Sequence, residues 1–488
     1  MSSSGAIEQS ETSVTPAKLP RPLDPVNSGD AMHGLIRELY PICRSITGDG
    51  LRETLRRIGA RIPLTLHEVP TGTRAFDWTV PREWNIRDAW IKNDKGERVV
   101  DFRRSNLHVL NYSVPVRASM TLAELRPRLF TLPKQPDWIP YRTSYYEENW
   151  GFCLSQRQLD AMPEGNYEVV IDSTLADGHL TYGECLLRGK TRDEVLVFTH
   201  VCHPSLCNDN LSGVALAVAL AQSLADRPRR YSYRFVFAPA TIGSITWMSR
   251  NENLLPRIKH GLVLACMGDP GKLTYKRSRH GDAVIDRAVQ HVLRHAGDHD
   301  ILDFSPWGYD ERQFGSPGIN LPVGRLTRSP NGSFAEYHTS ADNLDLVRPE
   351  ALADSLARCL QIFEVIEGNF CYCNTSPKGE PQLGRRGLYR KMGGFQDIPE
   401  RQWAMLWLLN LSTGEHSLLD IAERSGLEFS LLRSVAKDLL DNGLLAPRSE
   451  PSARVRPSKR KESAKVAKKG RARTPATRKK TRNRKSTR

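Results

Sequence analysis

The stretch Glu194–Leu220, EVLVFTHVCHPSLCNDNLSGVALAVAL, decides the fold. An apolar, β-branched run ends at His200. A short loop follows with Cys202, His203, Cys207 and Asp209. Ser212 and Gly213 then open a small-residue stretch of helical length. Strand, polar loop, helix is how an α/β sheet presents a site, because ligands bind just outside the carboxyl ends of its strands.

Working outward, the same alternation continues. YEVVIDS, CLLRG, EVLVFTH, YRFVFAP, GLVLACMG and NLPVGR are apolar runs of strand length from Tyr167 onward. Helical segments such as SGVALAVALAQSLADR and DAVIDRAVQHVLRHA separate them. This predicts a mixed, mostly parallel sheet flanked by helices. Upstream, residues 31–60 predict two amphipathic helices broken at Pro41–Gly50. From about Phe76 to Pro133 the pattern predicts short strands, with a hairpin around Asp94–Gly96 and another strand in LHVLNYSVPV. PKQPDWIPYRTSYYEENWGF is rich in proline and aromatics and predicts an irregular packed surface.

The formal charge of +15 over 488 residues misleads as one number. Pro451–Arg488 holds 17 Lys and Arg against one acid, Glu462, so the other 450 residues net −1. The basic character is that of a tail. No apolar run of about 18 residues predicts a membrane span. The opening MSSSGAIEQSETSVTPAKLPRP lacks the apolar region of a secretory signal and reads as a disordered leader. Nine scattered cysteines fit reduced thiols in a cytoplasm.

Three segments bring metal-ligand residue types to strand ends. VLVFTH ends at His200, with Asp209 in the following loop; LVLACMGD ends at Asp269; FAEYHTSADNLDLV supplies His338. Neutral imidazoles and carboxylates are the donors of a catalytic zinc ion, which keeps one position for water. Each residue alone is weak evidence, but their recurrence at strand ends is harder to obtain by chance.

THVCHPSLCNDNLSG and EYHTSADNLDLV resemble the H-x-D…NDN-x-SG and HT-x-x-D segments of zinc aminopeptidases with a phosphorylase-like α/β fold. A closer resemblance is to an uncharacterised aminopeptidase-like family of bacteria and archaea. It rests on YPICRSITGDGLRETL, IPYRTSYY, WGFCL, GYDERQFGSPGINLPVG and EYHTSADNLDLV. The resemblance covers roughly residues 31–447. It implies a β-rich domain inserted between N-terminal helices and a hydrolase core, then a winged-helix domain. It also implies His200 and His338 as zinc ligands, Asp209 as a metal-bridging aspartate, Asp269 as the next carboxylate and Asp342 as a supporting residue. His203 is a further candidate ligand or proton shuttle.

The departures from that pattern concern catalysis. Where the aminopeptidases carry a Glu-Glu pair, one the general base and one a ligand, this chain has Ala240 and Thr241. Cys202 stands where an aspartate is expected. A second metal ion would therefore lack a ligand, and one zinc ion per chain is expected, with two left open. Glu336 is the first candidate base, because i and i+2 share a face in an extended segment. Glu311 and Asp310 are further candidates. Tyr141, Arg142, Tyr145, Tyr309 and Asp310 are expected in the substrate cleft, with the stretch Trp138–Trp150 shaping it.

The expected organisation is a leader (1–30), N-terminal helices (31–67), the β-rich insert (68–150), the α/β core (151–395), a winged-helix-like unit (396–450) and the tail (451–488). In the winged-helix-like unit the second helix of the turn, Phe429–Asn442, sets Arg433 and Lys437 against Asp438 and Asp441. A DNA reader shows a basic footprint, so a protein contact or dimer role is favoured. Expected partners are a small peptide-like or aminoacyl substrate, a second copy of the chain, and polyanions such as nucleic acid through the tail, with no membrane. The expected activity is hydrolysis of an amide or peptide bond. The alternatives are an inactive metal-binding relative that holds a peptide-like or sugar-linked ligand, and a nucleic-acid-associated protein.

Overall fold

The computed structural model describes residues 27–388 and 399–448. Most of the expected leader and the Lys/Arg-rich tail lie outside the described residues. Helices α1 (Ser28–Leu39) and α2 (Asp49–Gly59) come first, on either side of the Pro41–Gly50 break. Their apolar stripes, Met32, Leu35, Ile36 and Leu39 and then Leu51, Leu55 and Ile58, are buried at the 3.6-residue period. Ser28, placed in the expected leader, is buried too.

Strand β1 (Thr65–Pro70) leads into β2 (Glu83–Lys92), β3 (Arg98–Asp101), β4 (Val116–Thr121) and β5 (Asn166–Ala176). Then follow β6 (His179–Leu187), β7 (Glu194–His200), α3 (Gly213–Ala225), β8 (Ser232–Ala238), α4 (Ile242–Arg250) and β9 (Ile258–Leu264). The core closes with β10 (Leu273–Lys276), α5 (Val284–Arg294), β11 (His299–Leu302), α6 (Glu311–Phe314), β12 (Val323–Thr327) and the long helix α7 (Pro349–Gly368).

The main sheet has eight strands in the order β1-β6-β8-β7-β9-β12-β10-β11. Its centre, β8-β7-β9-β12, is parallel; β1, β6 and the β10–β12 contact are antiparallel. Central strand β7 is buried at every position. Val195 and Val197 point into the apolar cluster shared with α1, α2, α3, α5 and α7. Leu196 and Phe198 point into the opposite cluster with α4 and the insert. That is the two-residue pleat of a strand covered on both faces. A Cβ on Gly213 would sit 2.6 Å from the Leu264 carbonyl oxygen, so glycine lets α3 start against β9.

Three expectations are corrected. Tyr167–Ser173 is not a strand of the α/β alternation. It lies in β5, which pairs antiparallel with both β2 and β4 in a sheet of order β3-β2-β5-β4. Its sequence period marks a strand but carries no information about its neighbours. Leu107–Val116 is not a strand either. It holds a short 3-10 turn and isolated bridges at Val109 and Asn111, and β4 begins only at Val116. Thirdly, the small C-terminal unit begins at Cys371. Its sheet has β13 (Cys371–Asn374) at the centre, between β14 (Thr413–Ser417) and β15 (Leu445–Pro447). Helices α8 (Glu400–Leu411), α9 (Leu418–Ser425) and α10 (Phe429–Asp441) complete it. Among the described residues no helix is long and apolar enough to cross a membrane.

Candidate metal centre

His200 closes β7 with no exposed surface. Its Nε2 lies 2.9 Å from Asp209 Oδ1, and His338 Nε2 lies 3.1 Å from Asp209 Oδ2. The His203 ring stands 4.9 Å from His200 and 5.3 Å from His338, centroid to centroid. His200, His203 and Asp209 each offer a ligand atom within 4.8 Å of the others. Burial works to raise the Asp209 carboxyl, but the surrounding histidines hold it well below the usual carboxylate range. Burial pushes the His203 imidazole down to about 3, which keeps it neutral with a free lone pair.

The cluster is held by an outer set of groups. Asp342 Oδ1 and Oδ2 accept the backbone N–H groups of Asn208 and Asp209. Asn210 Nδ2 donates to Thr199 Oγ1 and to the His200 carbonyl, fastening loop to strand. Arg44, fully buried, donates from Nε to the His203 carbonyl at 2.8 Å and from a terminal nitrogen to the Leu39 carbonyl at 2.6 Å. His338 has φ +56°, a left-handed conformation unusual for a non-glycine residue. It is clamped by the Tyr141 N–H donating to its carbonyl at 2.8 Å and by the adjoining Pro140–Thr339 bridge.

Aromatic rings line the histidines. Tyr309 stacks on His200 at 5.1 Å, and Tyr337 stacks on His338 at 3.9 Å. Tyr141 meets His203 and His338 edge-on, each at 5.1 Å, and its hydroxyl bonds that of Tyr145 at 2.7 Å. Arg142 points away, with an exposed side chain that donates to the Tyr141 carbonyl.

Other expected site residues are placed differently. Asp269 is buried, but its oxygens are taken by Asn208 Nδ2, the Gly271 and Ser329 N–H groups and Ser329 Oγ. The carboxylate braces two loops and is not part of the His200–His203–Asp209 group. Glu311 is buried against Lys276 at 2.9 Å, with Arg325 at 3.7 Å. Glu336 does not lie in an extended segment. The chain turns there, Tyr337 N–H bonding Phe334 O and Thr339 N–H bonding Glu336 O, so the shared-face argument with His338 fails. Cys202 is buried, with its thiol pushed up to about 12 by burial. Its sulfur accepts from the Ala240 N–H and lies 3.7 Å from His203 Nδ1.

Asp310 is fully buried. Its Oδ1 accepts from Ser244 Oγ at 2.6 Å, in the first turn of α4, while Oδ2 has no partner. Burial raises its carboxyl to about 6, against the opposing pull of His200. Sequence reasoning overlooked Arg44, Tyr337 and Cys266, whose sulfur lies 3.1 Å from Tyr309 Oη. YPICRSITGDG and EYHTSADN were both visible as motifs, but nothing in them states which groups these side chains meet.

Imidazoles and a carboxylate converging on one point are the donor set of zinc. The eight-stranded sheet and its site define an aminopeptidase-like α/β protein, and a zinc aminopeptidase from Bacillus subtilis shares the fold. It is 12% identical, with a TM-score of 0.53 over 72% of this chain and 96% of that one. Residues 33–369 match the family model of a domain of unknown function, DUF4910, and the chain belongs to that family. Residues 370–447 match a winged helix-turn-helix family. A Clostridium acetobutylicum protein, provisionally named a polysaccharide biosynthesis protein with an aminopeptidase-like domain, is 56% identical over 84% of this chain and 95% of its own. A crystal structure of a provisionally named peptidase from the same organism is 54% identical. It superposes with a TM-score of 0.83 over 87% of this chain and 98% of that one.

Proposed function

We propose that this chain is a metal-dependent hydrolase of an amide or peptide bond. One zinc ion would be held by His200, Asp209 and His338, with His203 beside them. The observation that carries the reading is the Asp209 carboxylate, which meets one histidine on each oxygen at the end of the central strand. A zinc ion there supplies Lewis acidity toward a substrate carbonyl and toward water. The residues of the chain do the rest. Tyr309, Tyr337 and Tyr141 pack against the imidazole rings and fix their planes. Asp342 and Arg44 hold the loop that carries Asp209 and His203.

The proton acceptor has to come from outside Pro239–Arg250, which contains no carboxylate. Asp310 has the stronger geometric claim. It is tied to Ser244 at the start of α4, beside the Ala240–Thr241 position, and one of its oxygens is unsatisfied. Glu336, half-buried in the turn before His338, is the other candidate. A second reading is favoured by the same lack of a carboxylate: a metal-binding relative that holds its ligand without turnover. The name of the Clostridium relative supports a sugar-linked ligand or substrate in either case.

The test is hydrolysis of aminoacyl amides, N-acyl amino acids and N-acyl amino sugars by zinc-loaded protein. Turnover that disappears in His200→Ala and returns in no metal condition supports the hydrolase. A wild-type protein that retains zinc, binds one of these compounds and never cleaves it supports the second reading.

A further inference from the structure

The C-terminal module has the helix-turn-helix order, with α9 and α10 as its two turn helices. In DNA-bound helix-turn-helix proteins the second helix enters the major groove, and its N-terminal residues reach the base edges. Here that end of α10 is already in use. Phe429 is 3% exposed, and its backbone N–H donates to His291 Nε2 of α5 at 3.1 Å. One turn later Arg433 meets Glu364 of α7 at 2.6 Å. The approach is close: a Cβ on Gly368 would lie 3.1 Å from both the Phe429 ring and the Arg433 side chain. The first turn helix is held too, because Arg287 of α5 bonds both Asp420 and Glu423.

Packing and charge agree with this. Leu408, Leu418, Leu432, Val435 and Leu439 of the module belong to the same continuous apolar cluster as Leu352, Phe363 and Ile366 of α7. Freeing the module would expose part of a core. The module is not basic either: residues 399–448 carry seven Asp and Glu against five Lys and Arg. On α10 itself Arg433 is paired with Glu364, and Lys437 with Asp441. A nucleic-acid reader needs a basic footprint on the presented face.

We propose that the winged helix-turn-helix module is permanently docked through its second helix, and that its partner is the α5–α7 face of its own chain, not a nucleic acid. Whatever affinity the protein has for polyanions then resides in the Lys/Arg-rich stretch Pro451–Arg488. That stretch lies beyond the winged helix-turn-helix match, which ends at Pro447.

The experiment uses a mixed-sequence DNA duplex of about two helical turns, titrated at two salt concentrations. The proteins are the full chain, a chain ending at Arg448, and the full-length charge swap Glu364→Arg with Arg433→Glu. The swap keeps the interface pair and reverses the sign presented by α10. Affinity should stay within about twofold in the swap and fall by about tenfold or more in the shortened chain at low salt. Calorimetry of the shortened chain should show the module melting with the core in a single transition. A tenfold loss in the swap, undiminished binding by the shortened chain, or a separate low-temperature transition for the module would overturn the proposal.

Discussion

Asp342 Oδ2 accepts the backbone N–H of Asp209 at 2.9 Å, across 133 positions of sequence. Its other oxygen holds the Asn208 N–H at 2.5 Å. Both ends of this contact are fully buried, so the amides have no water to turn to if the carboxylate is removed. Asp342→Ala should cost about 3 kcal/mol of stability through two orphaned donors. It should also weaken zinc binding by roughly 10–100-fold, the usual effect of losing a group that orients a ligand. Denaturant unfolding and competition with a coloured chelator measure the two effects separately. Wild-type zinc affinity in this variant would remove Asp342 from the account of the site.

Metal content follows from the donor set. Purified protein should retain about one zinc per chain, since among the described residues one cluster of imidazole and carboxylate donors is assembled. His200→Ala and His338→Ala should each lose it after mild chelation, and the wild-type melting temperature should fall when the metal is stripped. Elemental analysis beside thermal melts checks this. Full retention in both variants would refute the ligand assignment.

The proton acceptor can be separated from the ligands. Asp310→Asn should reduce turnover by roughly 10²-fold or more, as expected for a lost general base, with zinc content unchanged. Glu336→Gln should have the smaller effect. The opposite ranking would restore Glu336 as the base. If the wild type is inert and Ala240→Glu gains activity, the second functional reading is favoured.

Acid sensitivity should trace in part to His260. It is 7% exposed in β9, its ring edge-on to Tyr231, and burial with the nearby Arg230 charge pushes its imidazole down to about 4. In the unfolded chain it titrates near 6.5, so between these values the unfolded state binds the extra proton. Its penalty is therefore absent above about pH 6.5 and grows as the pH falls toward 4, reaching roughly 2–3 kcal/mol. His260→Gln should flatten the stability curve in that window and leave it unchanged at pH 8. Urea unfolding from pH 4.5 to 8 tests it, and identical slopes for the two proteins would reject it.

The fold was legible where a segment states its own environment. Glu194–His200 is apolar throughout because it is covered on both faces, and the loop after it is polar because it ends at the site. Pairing was less legible. Tyr167–Ser173 has strand character, but whether it joins β2 or the main sheet depends on residues 75 or more positions away. The donor chemistry of His200, Asp209 and His338 was readable from strand ends and motifs, and the structure brings the three side chains together. The destination of the Asp269 carboxylate was not, since it depends on Asn208 and Ser329 arriving from two other loops. The Glu336 argument assumed an extended backbone, and a turn of hydrogen bonds from Phe334 to Thr339 took its place.

The pairing of Ile139–Tyr141 with His338–Ser340 has an evolutionary consequence. An arm within the expected β-rich insert supplies the clamp on a histidine more than 190 positions later, so insert and α/β core are not separable modules of inheritance. A descendant that shed this arm would release His338 from its left-handed conformation and open the tyrosine wall in one step. Grafting the bare core onto another scaffold would carry over the sheet without the clamp that holds His338.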